Sequence, residues 1–423
     1  MAFDPRDPAF FDTAAVEKEL ERVTEICDGC RRCHRLCPSF DFMLDKVDEH
    51  EGDVSKVATA DYRRIVDLCW QCKLCFNHCP YTPPHRFDID FPRLMLRAKA
   101  ARASAEGVTR QDRFLGDIDR MGPRAAAVAP LVNAANRFRP HRVLLEAAVG
   151  VHRDRNLPRF HHKTFARWFR ERRRPRPAPA PAPKVALFFS CSVNYNEPQV
   201  GRDAVAVLER NGCEITCPEQ VCCGMPYLDG GDIAGASANA RRNLAALHPA
   251  VAAGATVVVP QPTCSYVLKH EYPLLAPGPE ADAVAGATRD VFEYLALRKA
   301  EGTLDTTFPG RSPGKVAYQV PCHLRAQNMG TKTRDVLQLV PGTSVSVIER
   351  CTAMDGTWAM KKEFYPISLK YARRAASEME AAGPDTFATD CTLSALQIEA
   401  VRGQKPAHPL GLLREAYGLA DER

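Results

Sequence analysis

The stretches CDGCRRCHRLCP, Cys27 to Pro38, and CWQCKLCFNHCP, Cys69 to Pro80, write one phrase twice, C-x2-C-x2-C-x3-C-P. Two-residue gaps let one loop offer three thiolates to a small iron-sulfur cage, and the fourth cysteine of each phrase serves the other cage in two-cluster ferredoxins. The spacing predicts two [4Fe-4S] clusters, one on Cys27, Cys30, Cys33 and Cys79, the other on Cys69, Cys72, Cys75 and Cys37. Structural zinc more often takes paired C-x2-C knuckles, so the duplicated phrase argues against it. His34 and His78 lie inside the loops, but each cage already has four thiolates. Pro38 and Pro80 suit a chain that turns away after handing over its remote cysteine. VSKVATADYRRIVDLC, Val54 to Cys69, reads as a helix leading into the second phrase, so residues 1–110 are expected to form an α-helical ferredoxin domain.

The rest of the chain bounds this reading. At 423 residues with 45% hydrophobic content it has length for about three domains with ordinary cores. Its start, MAFDPRDPAFF, lacks the basic and apolar regions of a signal peptide, which predicts a reducing, cytoplasmic compartment. Its 17 cysteines are then ligands before they are disulfides. The net charge of +6 is largely cancelled by clusters of about −2 each, so no nucleic-acid partner is inferred. The uncharged run from Asn243 to Leu268 contains Pro249, Gly254, Pro260 and Pro262 and reads as helix end, turn and strand, not as a membrane span.

Residues 111–183 read as a basic helical segment followed by the extended spacer PRPAPAPAPK. In KTFARWFRERRR, Lys163 to Arg174, Phe165, Trp168 and Phe169 share one helix face with arginines around it. This pattern fits an anionic membrane surface or a partner, or equally packing on its own domain with a solvated basic flank.

After the spacer two similar α/β units follow, expected at 184–312 and 313–423. In the first, KVALFFSC is a strand ending at Cys191, a helix closes at Gly212, VCCG follows, and ATVVVPQPTC is a strand ending at Cys264. In the second, KVAYQVPC ends at Cys322, SVSVIERC at Cys351 and FATDC at Cys391. Cysteines just after strands fall on the sheet edge where ligands bind, and helix N-termini there stabilise thiolates. Cys191, Cys222, Cys223 and Cys264 thus converge on one expected four-thiolate site, which Gly224 lets the backbone approach. Vicinal Cys222 and Cys223 are too close for a relaxed disulfide, which favours a ligand role. Cys213 and Cys217, on the intervening strand, are assigned to core or surface. In the second unit Cys322, Cys351 and Cys391 are weaker candidates, because Thr352 stands where a second vicinal cysteine would be. A hydroxyl is a poor ligand for iron-sulfur sites, so an independent cluster is less favoured than thiols lent to the first unit or a structural remnant. Asp355, Lys361, Lys362 and Glu363 are candidates for charge near this site.

These motifs, with PLVNAANRFRPHRVLLEAAVGVHRDRNLPRFHHKTFARWFR, SCSVNYNEPQVGRD, VCCGMP, PTCSYVLKHEYP and TDCTLSALQIE, make the chain resemble the iron-sulfur C subunits of anaerobic glycerol-3-phosphate dehydrogenase and, more broadly, heterodisulfide reductase-like proteins with cysteine-rich CCG domains. The resemblance covers nearly the whole chain. It implies an electron-transfer subunit, not the substrate-converting one, that takes electrons from a flavoprotein dehydrogenase and delivers them to membrane quinone or a redox protein. It further implies an additional iron-sulfur centre in the CCG region, and a place on the inner face of the cell membrane. Two positions depart from the family: its second CCG is Cys351-Thr352-Ala353 here, and its closing cysteine pair is reduced to Cys391 with Ser394 in the other place. Two other functions compete, a heterodisulfide reductase-like thiol-disulfide reductase and an electron carrier for an oxidative-stress non-haem iron protein. No dinucleotide fingerprint, P-loop or hydrolase triad is present in the sequence.

Overall fold

The computed structural model describes residues 3–173, 182–354 and 356–420. Most of the Pro/Ala spacer, and Asp355, lie outside them. The N-terminal part is helical: Thr13–Cys30, Pro38–Glu49, Thr59–Leu68, the short Leu74–His78, and Phe91–Glu106. Asp12 caps the first of these by accepting from the N–H groups of Ala14 and Ala15. Pro38 is the first residue of its helix, where a missing N–H costs nothing, so it starts an element instead of ending one. The stretch expected as one helix before Cys69 is a 3-10 turn, Val54–Lys56, and then Thr59–Leu68. Val23, Met43, Leu44, Ile65, Leu94 and Met95 fill the core between these helices.

The two α/β units each carry a parallel sheet. In the first, β1 (Lys184–Leu187), β2 (Glu214–Thr216), β3 (Thr256–Val259) and β4 (Thr288–Asp290) lie in the order β2-β1-β3-β4. In the second, β5 (Lys315–Gln319), β6 (Ser344–Ile348) and β7 (Thr386–Ala388) lie in the order β6-β5-β7. The uninterrupted apolar run of β1 follows from helices covering both faces. Val185 and Leu187 enter one core, while Ala186 and Phe188 enter the other. β5 repeats the device, with Val316 and Tyr318 on one side and Ala317 on the other.

Packing and polar contacts tie the units together. The C-terminal helix Pro409–Ala416 returns to the first unit, where Leu410 and Leu413 join its core and Arg414 pairs with Asp203 at 2.8 Å. Leu68 and Trp70 of the ferredoxin pack with Met354, Trp358 and Phe364 of the second unit. The Trp358 indole N–H donates to the Asp67 carbonyl at 2.7 Å. The aromatic face of Phe165–Glu171 is not a surface: Phe165, Trp168 and Phe169 are buried in the first unit's core, and Arg172 pairs with Glu209 at 2.7 Å. The packing alternative is therefore the observed one, which removes this helix as a membrane contact. No helix among the described residues is long and apolar enough to cross a membrane.

Candidate functional site

In the ferredoxin part, Cys27, Cys30, Cys33 and Cys79 line one small cavity with Ile26, Leu44 and Ile89. Burial, followed by the charges of Cys33, Cys79 and Cys30, pushes the Cys27 thiol up to about 12. Burial and Cys79 push Cys33 up to about 11. The second set is equally close-knit. Burial raises Cys75, and the nearest charges that add to it come from Cys72, Cys69 and Cys37. Crowded buried thiols of this kind cannot all ionise unless cationic metal lies among them, which is the condition that iron supplies. Backbone and side-chain N–H groups already point at several sulfurs: Gln71 donates to Cys69 at 3.3 Å, and the Tyr81 N–H to Cys79 at 3.4 Å. Among the described residues no three His, Cys, Asp or Glu side chains close on a single ion. His34 and His78 are exposed.

The α/β cysteines are assembled by the sheet edges. Cys191 and Cys322 each open a helix directly after β1 and β5, Cys264 lies in the helix following β3, and Cys391 caps the helix after β7. Cys222, Cys223 and Cys351 sit on the loops after β2 and β6. All seven line one cavity of about 100 Å³, and Cys72 of the ferredoxin forms part of the same wall. Cys191 and Cys222 approach to 3.8 Å between sulfurs. Cys223 contacts Cys264, which in turn feels the charge of Cys391. Cys322 contacts Cys351, and both adjoin Cys72. The hydrogen bond from Cys322, with help from the Ala353 N–H at 3.2 Å, lowers Cys351 against its burial.

Thr352 and Ser394 face this cavity, and their hydroxyls hydrogen-bond each other at 3.0 Å. The two replaced cysteine positions are thus neighbours, closed by a neutral bond where thiolates would repel. Cys213 is buried and contacts the Tyr294 hydroxyl at 3.4 Å, away from the cavity. Lys362 and Glu363 are exposed and Lys361 pairs with Asp112 at 2.6 Å, so these proposed site charges are not brought to the cysteines.

The VCCG loop is held both from the middle segment and from its own unit. Asp119 accepts from the Cys222 N–H and from Asn239, each at 2.8 Å, and Asn239 and Asn243 donate to the Cys222 carbonyl. Gly224 has φ +101°, and a Cβ there would lie 3.4 Å from the Ala236 carbonyl oxygen. Gly224→Ala is expected to lower stability by about 1–3 kcal/mol, read as a lower thermal midpoint of the anaerobic holoprotein.

Several residues here have no separate sequence signal. His323 bridges all three parts, meeting the Gln71 carbonyl at 2.9 Å and the Thr263 hydroxyl at 3.0 Å, and burial pushes it down to about 4. Lys73, inside the second cysteine phrase, forms a buried ion pair with Glu271 at 3.3 Å. Lys73 and the buried Lys99 both place positive charge near Cys69. Of these residues only Lys73 has a position that the motif marks, between Cys72 and Cys75.

Comparison with known proteins agrees with this layout. A family model described as the Citrate utilization protein B Fer4-like domain matches residues 20–105, and the cysteine-rich CCG domain matches 185–269 and again 316–399. The anaerobic glycerol-3-phosphate dehydrogenase C subunit of Escherichia coli (strain K12) is 32% identical over 335 residues, covering 78% of this chain and 82% of the relative. The chain belongs to this family of C subunits. The same protein of Escherichia coli O157:H7 matches to the same extent. Lactate utilization protein A 1 of Bacillus cereus (strain AH820) is 30% identical over 220 residues, covering 49% of this chain and 87% of that protein. Family membership supports iron-sulfur binding and an electron-transfer role in an oxidoreductase system, and it confirms the helical Fer4-like part followed by two CCG repeats.

Proposed function

We propose that the chain is the electron-transfer subunit of a respiratory complex, receiving electrons from a flavoprotein dehydrogenase and passing them toward membrane quinone. Cys27, Cys30, Cys33 and Cys79 would hold one [4Fe-4S] cluster and Cys69, Cys72, Cys75 and Cys37 a second. Cys191, Cys222, Cys223 and Cys264 would hold a further iron-sulfur centre, with Cys322, Cys351 and Cys391 lending thiolates to it. When bound, such clusters supply one-electron redox chemistry and nothing else is asked of them.

The observation that carries the reading is the shared wall at Cys72, where a ferredoxin thiol faces the cysteines of both CCG units. The protein's own residues do the rest. Lys73 and Lys99 offset negative charge near Cys69, while Gln71 and Gln261 turn N–H donors toward Cys69 and Cys391. Trp70, Trp358 and Phe364 pack together beside the junction and keep water from it.

Anaerobic purification of the full chain with iron and sulfide counting tests the proposal. About eight irons are expected for the two N-terminal clusters, with more for the C-terminal centre. Zinc without a reducible chromophore would refute it.

A further inference from the structure

The middle segment carries a helix turned inside out. In Arg139–Val149 the buried side chain is Arg142, while Pro140, Val143, Leu144, Ala147 and Ala148 are exposed. A helix packed for water does the reverse. The neighbouring helix Ala129–Ala135 and its flanks also expose large apolar side chains. Among the described residues, five of the six conspicuously exposed large apolar side chains fall here: Val128, Leu131, Phe138, Val143 and Leu144. Leu131 is 72%, Phe138 62% and Leu144 66% exposed.

Beside this apolar face lies a polar cleft of about 350 Å³. Arg142 and Arg155 line it, 5% and 2% exposed. Arg142 donates to the carbonyls of His152 and Arg155, and Arg155 bonds Gln397 and Ser368, but neither meets a carboxylate among the described residues. The Nε of each is buried without an acceptor. Burial without a counter-charge pushes Arg155 down to about 10. Arg137 and Arg159 on the rim also have no ion pair among the described residues, whereas Arg139 pairs with Asp154 at 3.5 Å and Arg153 with Glu146 at 2.5 Å. Glu399 is the further acid of the lining. Buried guanidinium groups with an unsatisfied Nε and no counter-charge suit an anion with several acceptor oxygens, which a phosphate provides.

We propose that residues 128–159 form the membrane-docking face: Leu131, Phe138 and Leu144 enter the acyl boundary of an anionic phospholipid surface, and the cleft of Arg142 and Arg155 receives a lipid phosphate. Apolar burial joined to basic attraction is the energetic basis of interfacial binding. The placement suits delivery of electrons to a membrane acceptor, and in that respect it rests on the function proposed above. Leu396 and Glu399 of the cleft stand on the helix that begins after Cys391, about 7–12 Å along its axis from that thiol at 1.5 Å per residue.

The test is co-sedimentation of the anaerobic holoprotein with vesicles of phosphatidylcholine, with and without phosphatidylglycerol. The wild type is expected to bind the anionic vesicles. Leu131→Ser, Phe138→Ser and Leu144→Ser together should reduce partitioning more than tenfold, and Arg137→Gln and Arg159→Gln about fivefold each. Unchanged cluster absorbance and circular dichroism would show that these exposed substitutions leave the fold intact. Reduction of a water-soluble quinone analogue by the dithionite-reduced protein freed of excess dithionite, followed in parallel as reoxidation of the cluster absorbance, should not change in the triple variant. Loss of that activity from the wild type with vesicle binding intact would refute the electron-transfer reading and leave the docking face standing. Vesicle binding unaffected by the variants, equal binding to neutral vesicles, or binding of inorganic phosphate without vesicles would overturn the docking face. So would a wild type that binds no vesicle, since the apolar face would then belong to a protein partner.

Discussion

Lys73→Met is expected to destabilise the chain by about 3–5 kcal/mol, because it leaves the Glu271 carboxylate buried without its partner. The two side chains are 2% and 1% exposed, so solvent screens the pair little. Burial opposes ionisation of Glu271, but Lys73 and then Arg93 outweigh it and hold the carboxyl below its usual range. A depressed folded value means that this stability is present above the unfolded value of about 4.3 and is lost as pH falls through the folded one. Removing Lys73 takes away the larger opposing charge, so burial gains weight and the sign turns: acidification from neutral pH toward 5 should then recover part of the loss. Adding Glu271→Leu to Lys73→Met should restore most of it, since the unpaired carboxylate is then gone and Arg93 keeps Asp90 as its partner. The measurement is the guanidinium midpoint of the anaerobic holoprotein at several pH values. A single variant as stable as the wild type, with no pH-dependent recovery, would contradict this account of the junction between ferredoxin and first CCG unit.

The second large effect concerns Cys222. Its sulfur lies 3.8 Å from that of Cys191 in the eight-thiol cavity, and its backbone is fixed by Asp119, Asn239 and Asn243. Serine keeps that backbone but replaces a soft anionic ligand by a neutral hydroxyl. Cys222→Ser is expected to abolish the EPR signal of the C-terminal centre while about eight irons remain in the N-terminal clusters. Loss of the N-terminal signals as well would show a folding defect, which near-ultraviolet circular dichroism of the apoprotein would reveal independently.

How much of this is legible in the sequence depends on the range of the interactions. The phrases at Cys27 and Cys69 are local, and their spacing alone indicates two cages; KVALFF and KVAYQV likewise announce buried parallel strands. β4 escapes notice because TRD is three residues long and largely polar, its pairing depending on β3 rather than on its own pattern. Phe165, Trp168 and Phe169 have a periodicity that fits membrane and core equally, and only the packing against β1 and its helices decides between them. The face at Leu131 and Leu144 is invisible for the complementary reason: apolar residues at helical spacing read as core, and the buried Arg142 that inverts the helix reads as surface. Lys73–Glu271 and Trp70–Trp358 join residues far apart in the chain, and no local pattern announces such pairs. In RCTAMD the open choice between a remnant, lent thiols and a separate cluster turns on distance. Cys322, Cys351 and Cys391 line the same cavity as Cys191, Cys222, Cys223 and Cys264, and the Thr352–Ser394 hydroxyl pair occupies the two positions that a separate second site would need.

Redox-titrated EPR of anaerobic Cys351→Ser, set beside Cys222→Ser and the wild type, tests the claim of one shared C-terminal centre most directly. The account predicts that Cys351→Ser shifts or weakens the same signal that Cys222→Ser abolishes, and that no other iron centre disappears. Removal of a distinct signal by Cys351→Ser, with the Cys222-dependent signal unchanged, would establish a second independent cluster and contradict it.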